Sequence, residues 1–336
     1  MDFLNAIVLF ANFVAVPALA YGSQLALGAL GVTLVYGILR FSNFAHGEIM
    51  SFGAMVAILV MWALQAGGIG IAPLPTVLLA LPVAIVATIV LVLIFDRTVF
   101  RYYRIKRSPP VILLIASTGV MFVINGAIRL VIGPNDQRVD DGARFLVKVG
   151  EFKAATGLNE GLAIKTSQVI SLTAAVACVV LLFWFLNKTR TGKSMRAYSD
   201  NEDLALLSGV NPDRVVAVAW ILAGGLAALA GTLYGLDKVY KPFTYLQLLL
   251  PIFAAAIVGG IGNPVGAIVG GFVIAFSEVM VTYAYKKFFG YLLAPEWAPE
   301  GLAQLIGTDY KFAVSFMILV VVLLVRPTGI FAGKTL

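Results

Sequence analysis

Ten apolar runs separated by short polar segments constrain this chain more than any other feature. An α-helix needs about 20 apolar residues to cross a lipid bilayer, and five of the runs reach or approach that length. We expect the shorter runs to gain flanking residues, to tilt or to stop part-way. The pattern predicts an all-α polytopic integral membrane protein, a single domain over residues 1–336 with about 8–10 transmembrane helices. The runs are Ala6–Leu19, Leu25–Leu39, Ser51–Leu64, Thr76–Phe95, Val111–Ile132, Val169–Asn187, Val215–Leu236, Leu246–Val258, Val265–Ala284 and Phe312–Val325.

The composition agrees with a chain surrounded by lipid. Hydrophobic residues make up 60% of the 336 residues and charged residues only 12%, whereas soluble domains carry about 25% charged residues. A net charge of +7 would suggest nucleic acid in a soluble protein. Here the basic residues flank apolar runs, so they indicate orientation in the membrane, and we expect no nucleic-acid partner.

Three basic segments set the predicted orientation. The positive-inside rule places them, and with them the C-terminus, in the cytoplasm. Two apolar runs separate the first segment from the second, and four separate the second from the third, as segments on one side require. The segment 133–168 then forms an extracytoplasmic loop. The basic residues are Arg97, Arg101, Arg104, Lys106 and Arg107; Lys188, Arg190, Lys193, Arg196 and Arg214; and Arg326 and Lys334.

Two breaks between apolar runs predict interrupted helices, at Arg40–Glu48 and at Gly259–Pro264. Non-helical backbone at membrane depth is tolerated only where it is buried in protein or lines a cavity, and short interrupted segments in matching halves point to a transport path. The alternative is that both breaks are ordinary loops at the membrane surface. The candidate path residues are Asn43, His46 and Glu48 in the first break and Gly259, Gly260, Gly262 and Asn263 in the second.

A weak internal similarity predicts two pseudo-repeat halves. Leu27–Gly37 resembles Leu226–Gly235 when one residue is skipped. Coincidence among small apolar residues is the alternative interpretation.

Glu48 is an acid in an otherwise apolar third of the chain. A carboxylate at the centre of a bilayer costs about 3 kcal/mol on insertion scales. Three interpretations stay open: an acidic cap at a helix N-terminus near the membrane surface, a residue that lines the path, and a proton-coupling group.

The sequence offers no motif for catalysis or metal binding. It contains one histidine and one cysteine, Cys178, which we interpret as a small packing residue. The glycines at 259–262 lack the preceding strand of a dinucleotide site, and no P-loop is present. We therefore expect a non-catalytic chain without a metal or cofactor of its own.

The segment 188–214 is long for a connection between two spans and has its own helical pattern. Leu204 and Leu207 fall on one face. We expect Asp200, Glu202 and Asp203 to lie in the first turn of this helix, where acids suit the helix dipole, and Gly209 is a stop signal. We interpret this helix as a docking element for a cytoplasmic partner; the alternative is a helix that lies against the membrane surface or the base of the bundle. The candidate docking residues are Arg196, Asp200, Glu202, Asp203, Leu204, Leu207, Gly209 and Asn211.

Four segments together resemble the LivH-type permeases of branched-chain amino acid ABC importers. They are Asn43–Glu48, with the sequence NFAHGE, then 196–214, then the glycine-rich Val258–Gly271, and finally Arg326–Phe331. They span nearly the whole chain in the order of the family.

The resemblance implies an importer subunit in the bacterial inner membrane. A second homologous permease would complete the path, and two cytoplasmic ATPase subunits, which bind ATP and Mg, would dock on segment 188–214. A periplasmic binding protein would deliver the solute. The family carries branched-chain amino acids, and relatives carry urea or short amides.

The chain departs from the family pattern in three places. Glu202 and Asp203 make the docking helix unusually acidic, and the outer segments 133–168 and Tyr285–Lys311 are long, the latter with Pro295, Trp297 and Pro299. The resemblance therefore does not identify the solute. The main alternative function is a secondary transporter coupled to an ion gradient, with Glu48 and Glu278 as intramembrane ion ligands.

Overall fold

The computed structural model describes residues 2–139, 141–292 and 301–331. Single-turn π-helices at Ala11–Ala15 and Asp96–Phe100 join α1 to α2 and α4 to α5, so each pair forms one continuous helix. A 3₁₀ turn at Thr308–Tyr310 leads into the last helix, and two short strands, β1 (Phe145–Val147) and β2 (Ile164–Lys165), pair antiparallel. The helices are α1 (Asp2–Phe10), α2 (Val16–Leu39), α3 (His46–Ala66), α4 (Val77–Phe95), α5 (Arg101–Ile105), α6 (Pro110–Ile132), α7 (Val149–Thr156), α8 (Thr166–Lys188), α9 (Arg190–Asp200), α10 (Glu202–Leu207), α11 (Pro212–Asp237), α12 (Pro242–Gly259), α13 (Pro264–Thr282), α14 (Lys286–Leu292) and α15 (Lys311–Val325).

Nine helices in the described residues are long and apolar enough to cross a membrane. The prediction of an all-α polytopic membrane protein is confirmed. The first two apolar runs belong to one continuous helix, Asp2–Leu39, so ten runs give nine candidate spans. The helix that begins at Val77 also continues to Ile105. The expectation that a loop begins after Phe95 is therefore wrong for Arg97, Arg101 and Arg104, which lie in this helix.

Three basic segments of the chain meet at one end of the bundle. Arg101 forms an ion pair with Asp213 at the start of α11, with 3.4 Å between Nη2 and Oδ2. Asn263, before α13, lines a crevice together with Arg196 of α9 and donates its amide to the carbonyl of Phe331 at 3.1 Å. We call this the basic end. Lys334 lies outside the described residues.

The segments predicted to lie outside meet at the opposite end. The amide of Thr76, between α3 and α4, donates to Oδ2 of Asp141 at 2.6 Å, and the backbone of Gln137 pairs with that of Tyr240, after α11. Ser167, at the start of α8, donates to Asp237 at 3.1 Å. The grouping at two ends agrees with the parity of the spans.

The helices form two halves with matching packing. α2 packs on α13 as α11 packs on α4, α3 packs on α4 as α12 packs on α13, and α3 packs on α6 as α12 packs on α15. α2 and α11 run in opposite directions, since Gln24 reaches the carbonyl of Leu233 whereas Gly31 lies against that of Ala223. The two halves are therefore inverted relative to each other.

Glycine permits the closest approach between helices in the centre of the bundle. A Cβ atom on Gly231 of α11 would lie 2.1 Å from the carbonyl oxygen of Met50 in α3. A Cβ on Gly271 of α13 would lie 2.6 Å from the backbone nitrogen of Ala26 in α2. Helices in membranes associate largely through such van der Waals packing, because lipid supplies little hydrophobic force between them.

Candidate functional site

The chain turns back into the bundle after α2. Arg40 adopts the left-handed conformation (φ 56°, ψ 30°), and its amide donates to the carbonyl of Tyr36. Six residues later the ring of His46 lies against α2, where a Cβ on Gly31 would be 2.6 Å from Cε1. Gly31 is about 12 Å from the end of α2 at 1.5 Å per residue. Residues 40–45 therefore re-enter the bundle, and we call them the re-entrant segment.

The backbone of the re-entrant segment finds partners inside the protein. The amide of Phe44 donates to Oγ of Ser117 at 3.1 Å. Asn43 accepts from the amide of Ala45 with its side chain at 3.1 Å and from the amide of His46 with its carbonyl at 3.2 Å. Non-helical backbone at membrane depth requires hydrogen-bond partners of this kind within the protein. The first break thus has the form expected of an interrupted helix.

Three buried polar side chains follow this turn. Asn43, His46 and Glu48 are each at most 1% exposed. Oε1 of Glu48 accepts from the side-chain amide of Asn125 at 2.9 Å. Asn43 Nδ2, His46 Nε2 and Glu48 Oε2 have no hydrogen-bond partner among the described residues. Unpaired buried polar atoms are costly, so the three residues, which we call the polar cluster, stay candidates for contact with a solute or water. They do not all face one side, since His46 lies against α2 and Glu48 bonds to α6.

Glu48 lies in the first turn of α3, where a negative charge interacts favourably with the helix dipole. Its complete burial beside α6 does not fit a cap exposed at the membrane surface. Glu278, the second acid considered, lies on α13, is 1% exposed and accepts a hydrogen bond from Ser315 of α15. The two acids belong to different surroundings, and their roles stay predictions.

The second break lies at the basic end. Gly262 and Asn263 line a crevice of about 360 Å³ with Arg196 and Asp200 of α9. The side chain of Asn263 accepts from the amide of Gly266 at 3.2 Å and so caps α13. These contacts favour the alternative of an ordinary turn between two spans. A role of this turn in solute passage stays a prediction.

The glycines of the second break have conformations that other residues rarely adopt. Gly260 and Gly262 have φ of 112° and 86°, and a Cβ on Gly259 would lie 2.0 Å from the carbonyl oxygen of Gly266. The turn therefore needs glycine for its backbone shape. That need explains the glycine-rich sequence without invoking membrane depth.

The predicted docking helix is two helices. Asn201 separates α9 from α10, and its side chain accepts from the amide of Leu204 at 3.0 Å. The expectation that Asp200 lies in the first turn of the docking helix is wrong, because Asp200 is the last residue of α9. Glu202 and Asp203 do lie in the first turn of α10.

α10 presents apolar side chains outward at the basic end. Leu204 is 61% exposed and Leu207 is 85% exposed, whereas Ala205 between them is 3% exposed. The helix ends with a Schellman motif in which the amide of Val210 donates to the carbonyl of Ala205 and Gly209 takes a φ of 80°. The predicted stop signal has its structural basis in this motif.

Buried residues and hydrogen bonds fix α9 and α10 to the bundle. Met195 and Tyr198 of α9 are buried, and the hydroxyl of Tyr198 donates to Glu202 at 2.6 Å. Burial, and then the bond to Glu202, raises the pKa of Tyr198, so its hydroxyl remains a neutral donor. Arg196 donates to the side chain of Asn187 at 2.9 Å. Asn211 caps α11, since its side chain accepts from the amide of Arg214.

Sequence reasoning missed the partners of the predicted residues. Asn125 binds Glu48, Ser117 binds the re-entrant segment, and Arg40 donates to the carbonyl of Ser199 at 2.6 Å. Asn125 and Ser117 are polar residues within the apolar run Val111–Ile132. Their polarity was the available signal, but nothing local identifies what they contact.

The sequence matches a family model over residues 14–323, described as "Branched-chain amino acid transport system / permease component". The high-affinity branched-chain amino acid transport system permease protein LivH of Escherichia coli strain K12 is 30% identical over 312 residues, which cover 92% of this chain and 91% of that protein. BraD of Pseudomonas aeruginosa, a permease protein of the same description, is 29% identical over 316 residues, 94% of each chain. A probable LivH of Methanocaldococcus jannaschii is 31% identical over 315 residues, 93% of this chain and 90% of that protein.

Proposed function

This chain belongs to the permease-component family of branched-chain amino acid transport systems, and on that premise we propose that it is the path-forming subunit of an ABC importer. It moves a small polar solute inward while partner subunits hydrolyse ATP. Branched-chain amino acids are the proposed solutes, because the similar permease proteins of Escherichia coli and Pseudomonas aeruginosa carry that description. Urea and short amides are the next candidates.

The exposed leucines of α10 are the observation that carries this proposal. Leu204 and Leu207 lie at the basic end, among charged residues rather than on the apolar sides of the bundle. Exposed apolar side chains in a polar setting mark an interaction surface. The caps at Asn201 and Gly209 hold α10 in a fixed shape. We assign this surface to a cytoplasmic ATPase subunit, which supplies the ATP and Mg site that this sequence lacks.

The re-entrant segment supplies the proposed solute path. The unpartnered polar atoms of Asn43, His46 and Glu48 suit a small solute that carries hydrogen-bonding groups. The turn from Gly259 to Asn263 lies at the basic end and would border the inner opening. ATP-driven movement of α9 and α10 would switch the path between outward and inward openings.

The proposed assembly follows from the family. A second homologous permease completes the path, two ATPase subunits dock at the basic end, and a periplasmic binding protein docks at the opposite end. The chain lies in the lipid of the bacterial inner membrane with its C-terminus in the cytoplasm, because the basic end carries the residues that remain inside.

The test removes the apolar surface of α10. A Leu204→Ser, Leu207→Ser double variant should lose co-purification with the ATPase subunits and lose ATP-driven uptake of radiolabelled leucine in proteoliposomes. The matched control is Leu302→Ser, Leu305→Ser, two leucines that are 65% and 76% exposed away from α9 and α10. Equal co-purification of both double variants would refute the docking assignment.

The same assay separates the importer from a secondary transporter. An importer takes up leucine only when ATP and loaded binding protein are supplied. Uptake by the purified chain alone, driven by a proton or sodium gradient, would instead support the alternative that uses Glu48 and Glu278.

A further inference from the structure

The guanidinium of Arg40 connects the re-entrant segment to the proposed docking helices. Its Nη2 donates to the carbonyl of Ser199 at 2.6 Å, across 159 residues of sequence. Ser199 lies in the last turn of α9, two residues before the Asn201 cap that begins α10. A charge-assisted bond of this length is stronger than one between neutral groups. Movement of α9 therefore reaches Arg40 directly.

Packing reinforces this contact on the same residue. A Cβ on Gly37, in the last turn of α2, would lie 3.3 Å from Oγ of Ser199. The absence of a side chain at Gly37 lets α9 approach the end of α2, where the amide of Arg40 donates to the carbonyl of Tyr36. The end of α9 and the turn at Arg40 thus form one packed unit.

The residue after Arg40 is anchored on its other side. Phe41 is 2% exposed, and its ring centroid lies 5.3 Å from that of Phe100, which stacks on Trp220 at 5.2 Å. Nε1 of Trp220 donates to Asp96 at 2.9 Å. The aromatic stack holds the chain against α11 and the π-turn of the α4–α5 helix. Arg40 thus lies between its contact to α9 and this packed stack, and the stack must shift with Arg40 when α9 moves.

The chain beyond Phe41 leads directly to the polar cluster. His46 follows five residues later and lies against Gly31, and Glu48 lies in the first turn of α3. An extended stretch of this length spans about 17 Å at most, so the chain places the turn within this distance of His46. The backbone therefore connects Arg40 to Asn43, His46 and Glu48 over a short stretch of chain.

We propose that Arg40 is the positioning residue that transmits movement of α9 and α10 into the re-entrant segment. The proposal rests on the function proposed above, because it takes the ATPase subunits as the source of that movement. Arg40 does not touch ATP, and its part is mechanical: the bond to Ser199 makes the turn follow α9. Without that bond, α9 moves while the re-entrant segment stays behind.

The test measures how much solute is moved for each ATP hydrolysed. Arg40→Ala and Arg40→Gly are compared with wild type in the complete transporter, reconstituted with binding protein and radiolabelled leucine. Both variants should lower leucine taken up per ATP hydrolysed by at least ~5-fold, the lower bound of common coupling effects. Glycine suits the left-handed turn better than arginine does, so a loss in Arg40→Gly reports on the guanidinium and not on the backbone.

Arg107 offers a matched control. It is an arginine with a similar left-handed conformation (φ 51°) in the turn between α5 and α6, and within the described part of the chain its side chain has no hydrogen bond or ion pair. Arg107→Gly should leave the uptake per ATP unchanged. Arg40→Lys, which keeps the charge but has a shorter reach, should give an intermediate ratio.

The outcomes separate the inference from the proposed function. Wild-type complex without ATP-dependent uptake would overturn the proposed function, and with it the premise of this inference. If the wild-type complex couples uptake to ATP and both Arg40→Ala and Arg40→Gly keep the wild-type amount of leucine taken up per ATP hydrolysed, the inference alone is overturned. If either variant fails to assemble, Arg40→Lys and Arg40→Gln decide: a ratio equal to wild type in both would refute the role of the guanidinium.

Discussion

A methyl group added at Gly231 should push α11 and α3 apart. The Cβ of Gly231→Ala would lie 2.1 Å from the carbonyl oxygen and 2.7 Å from the carbonyl carbon of Met50. Ordinary van der Waals contact begins at 3.4 Å, so the oxygen would have to retreat by about 1.3 Å. The obstacle is backbone rather than the end of a flexible side chain. The helices must therefore separate or rotate, because no rotamer change can relieve the contact.

The expected cost follows from two opposing terms. Overpacking in a well-packed core costs about 1–3 kcal/mol, and a backbone clash belongs at the upper end of that range. Alanine has a higher helix propensity than glycine, which stabilises the helix by roughly 1 kcal/mol. The net destabilisation is about 2 kcal/mol, which for a chain of 336 residues lowers the melting temperature by about 3 °C.

Thermal unfolding in detergent measures this effect. The permease is heated in steps, and the fraction that remains monodisperse is read by size-exclusion chromatography. Gly119→Ala is the matched control, since Gly119 lies in α6 at a position where an added Cβ would have nothing within 4 Å, and this variant should melt at or above wild type. A Gly231→Ala variant that melts no lower than Gly119→Ala would refute the reasoning.

Two further predictions concern the basic end. Replacing Asp200, Glu202 and Asp203 together by lysine should uncouple ATP hydrolysis from leucine uptake. Glu202→Gln alone can still accept a hydrogen bond from Tyr198 and should stay coupled. Normal transport by the triple variant would show that the docking assignment is wrong. The Gly262→Leu variant should insert into the membrane yet lose leucine uptake in proteoliposomes. A φ of 86° strains any L-residue, and the leucine side chain would enter the crevice. Unchanged uptake would indicate that the turn has no part in transport.

The membrane spans were predictable because the bilayer acts on each segment separately. Every apolar run must satisfy its backbone by forming a helix, whatever the rest of the fold does. One prediction that failed, a boundary between the first two runs, depended on tertiary contacts. Polar residues near Gln24 suggested a gap, but Gln24 is buried and donates to Ser171 at 3.1 Å and to the carbonyl of Leu233. Its side-chain NH2 group thus bonds to two other helices inside the bundle, while Oε1 has no hydrogen-bond partner among the described residues. The polar side chain therefore lies within a continuous helix and does not mark a gap between spans.

The site was predictable in part. Asn43, His46 and Glu48 are conspicuous because polar residues in an apolar third of a membrane protein need a reason. Their partners could not be predicted, since the bond between Arg40 and Ser199 joins residues that are 159 positions apart. Local patterns show which residues need a partner, and only the packing of the helices shows which one they receive.

The pairing of the two breaks failed for a related reason. The expectation matched Arg40–Glu48 with Gly259–Pro264 because both lie between apolar runs that are mostly short for a full span. The packing of the two halves matches the re-entrant segment instead with residues 238–241, which follow α11 as residues 40–45 follow α2. The internal similarity already contained this register, since it aligns the end of α2 with the end of α11. The glycines at 259–262 suggest an interrupted helix, but the turn at 259–263 needs glycine for its own backbone conformation.

The inverted halves are therefore similar in fold but different in chemistry. The helices that follow the two equivalent breaks meet where a Cβ on Gly47 of α3 would lie 2.5 Å from the carbonyl oxygen of Tyr245 in α12. The first break carries Asn43, His46 and Glu48 and the bond to α9. The second carries the buried Tyr240, whose hydroxyl lies 3.1 Å from Oγ of Ser51 in α3, and Lys241, which pairs with the exposed Asp136. Because Gly47 and the backbone of Tyr245 approach this closely, we expect a displacement of α3 toward α12 to move α12 as well. A movement that enters through one half should in this way reach the other.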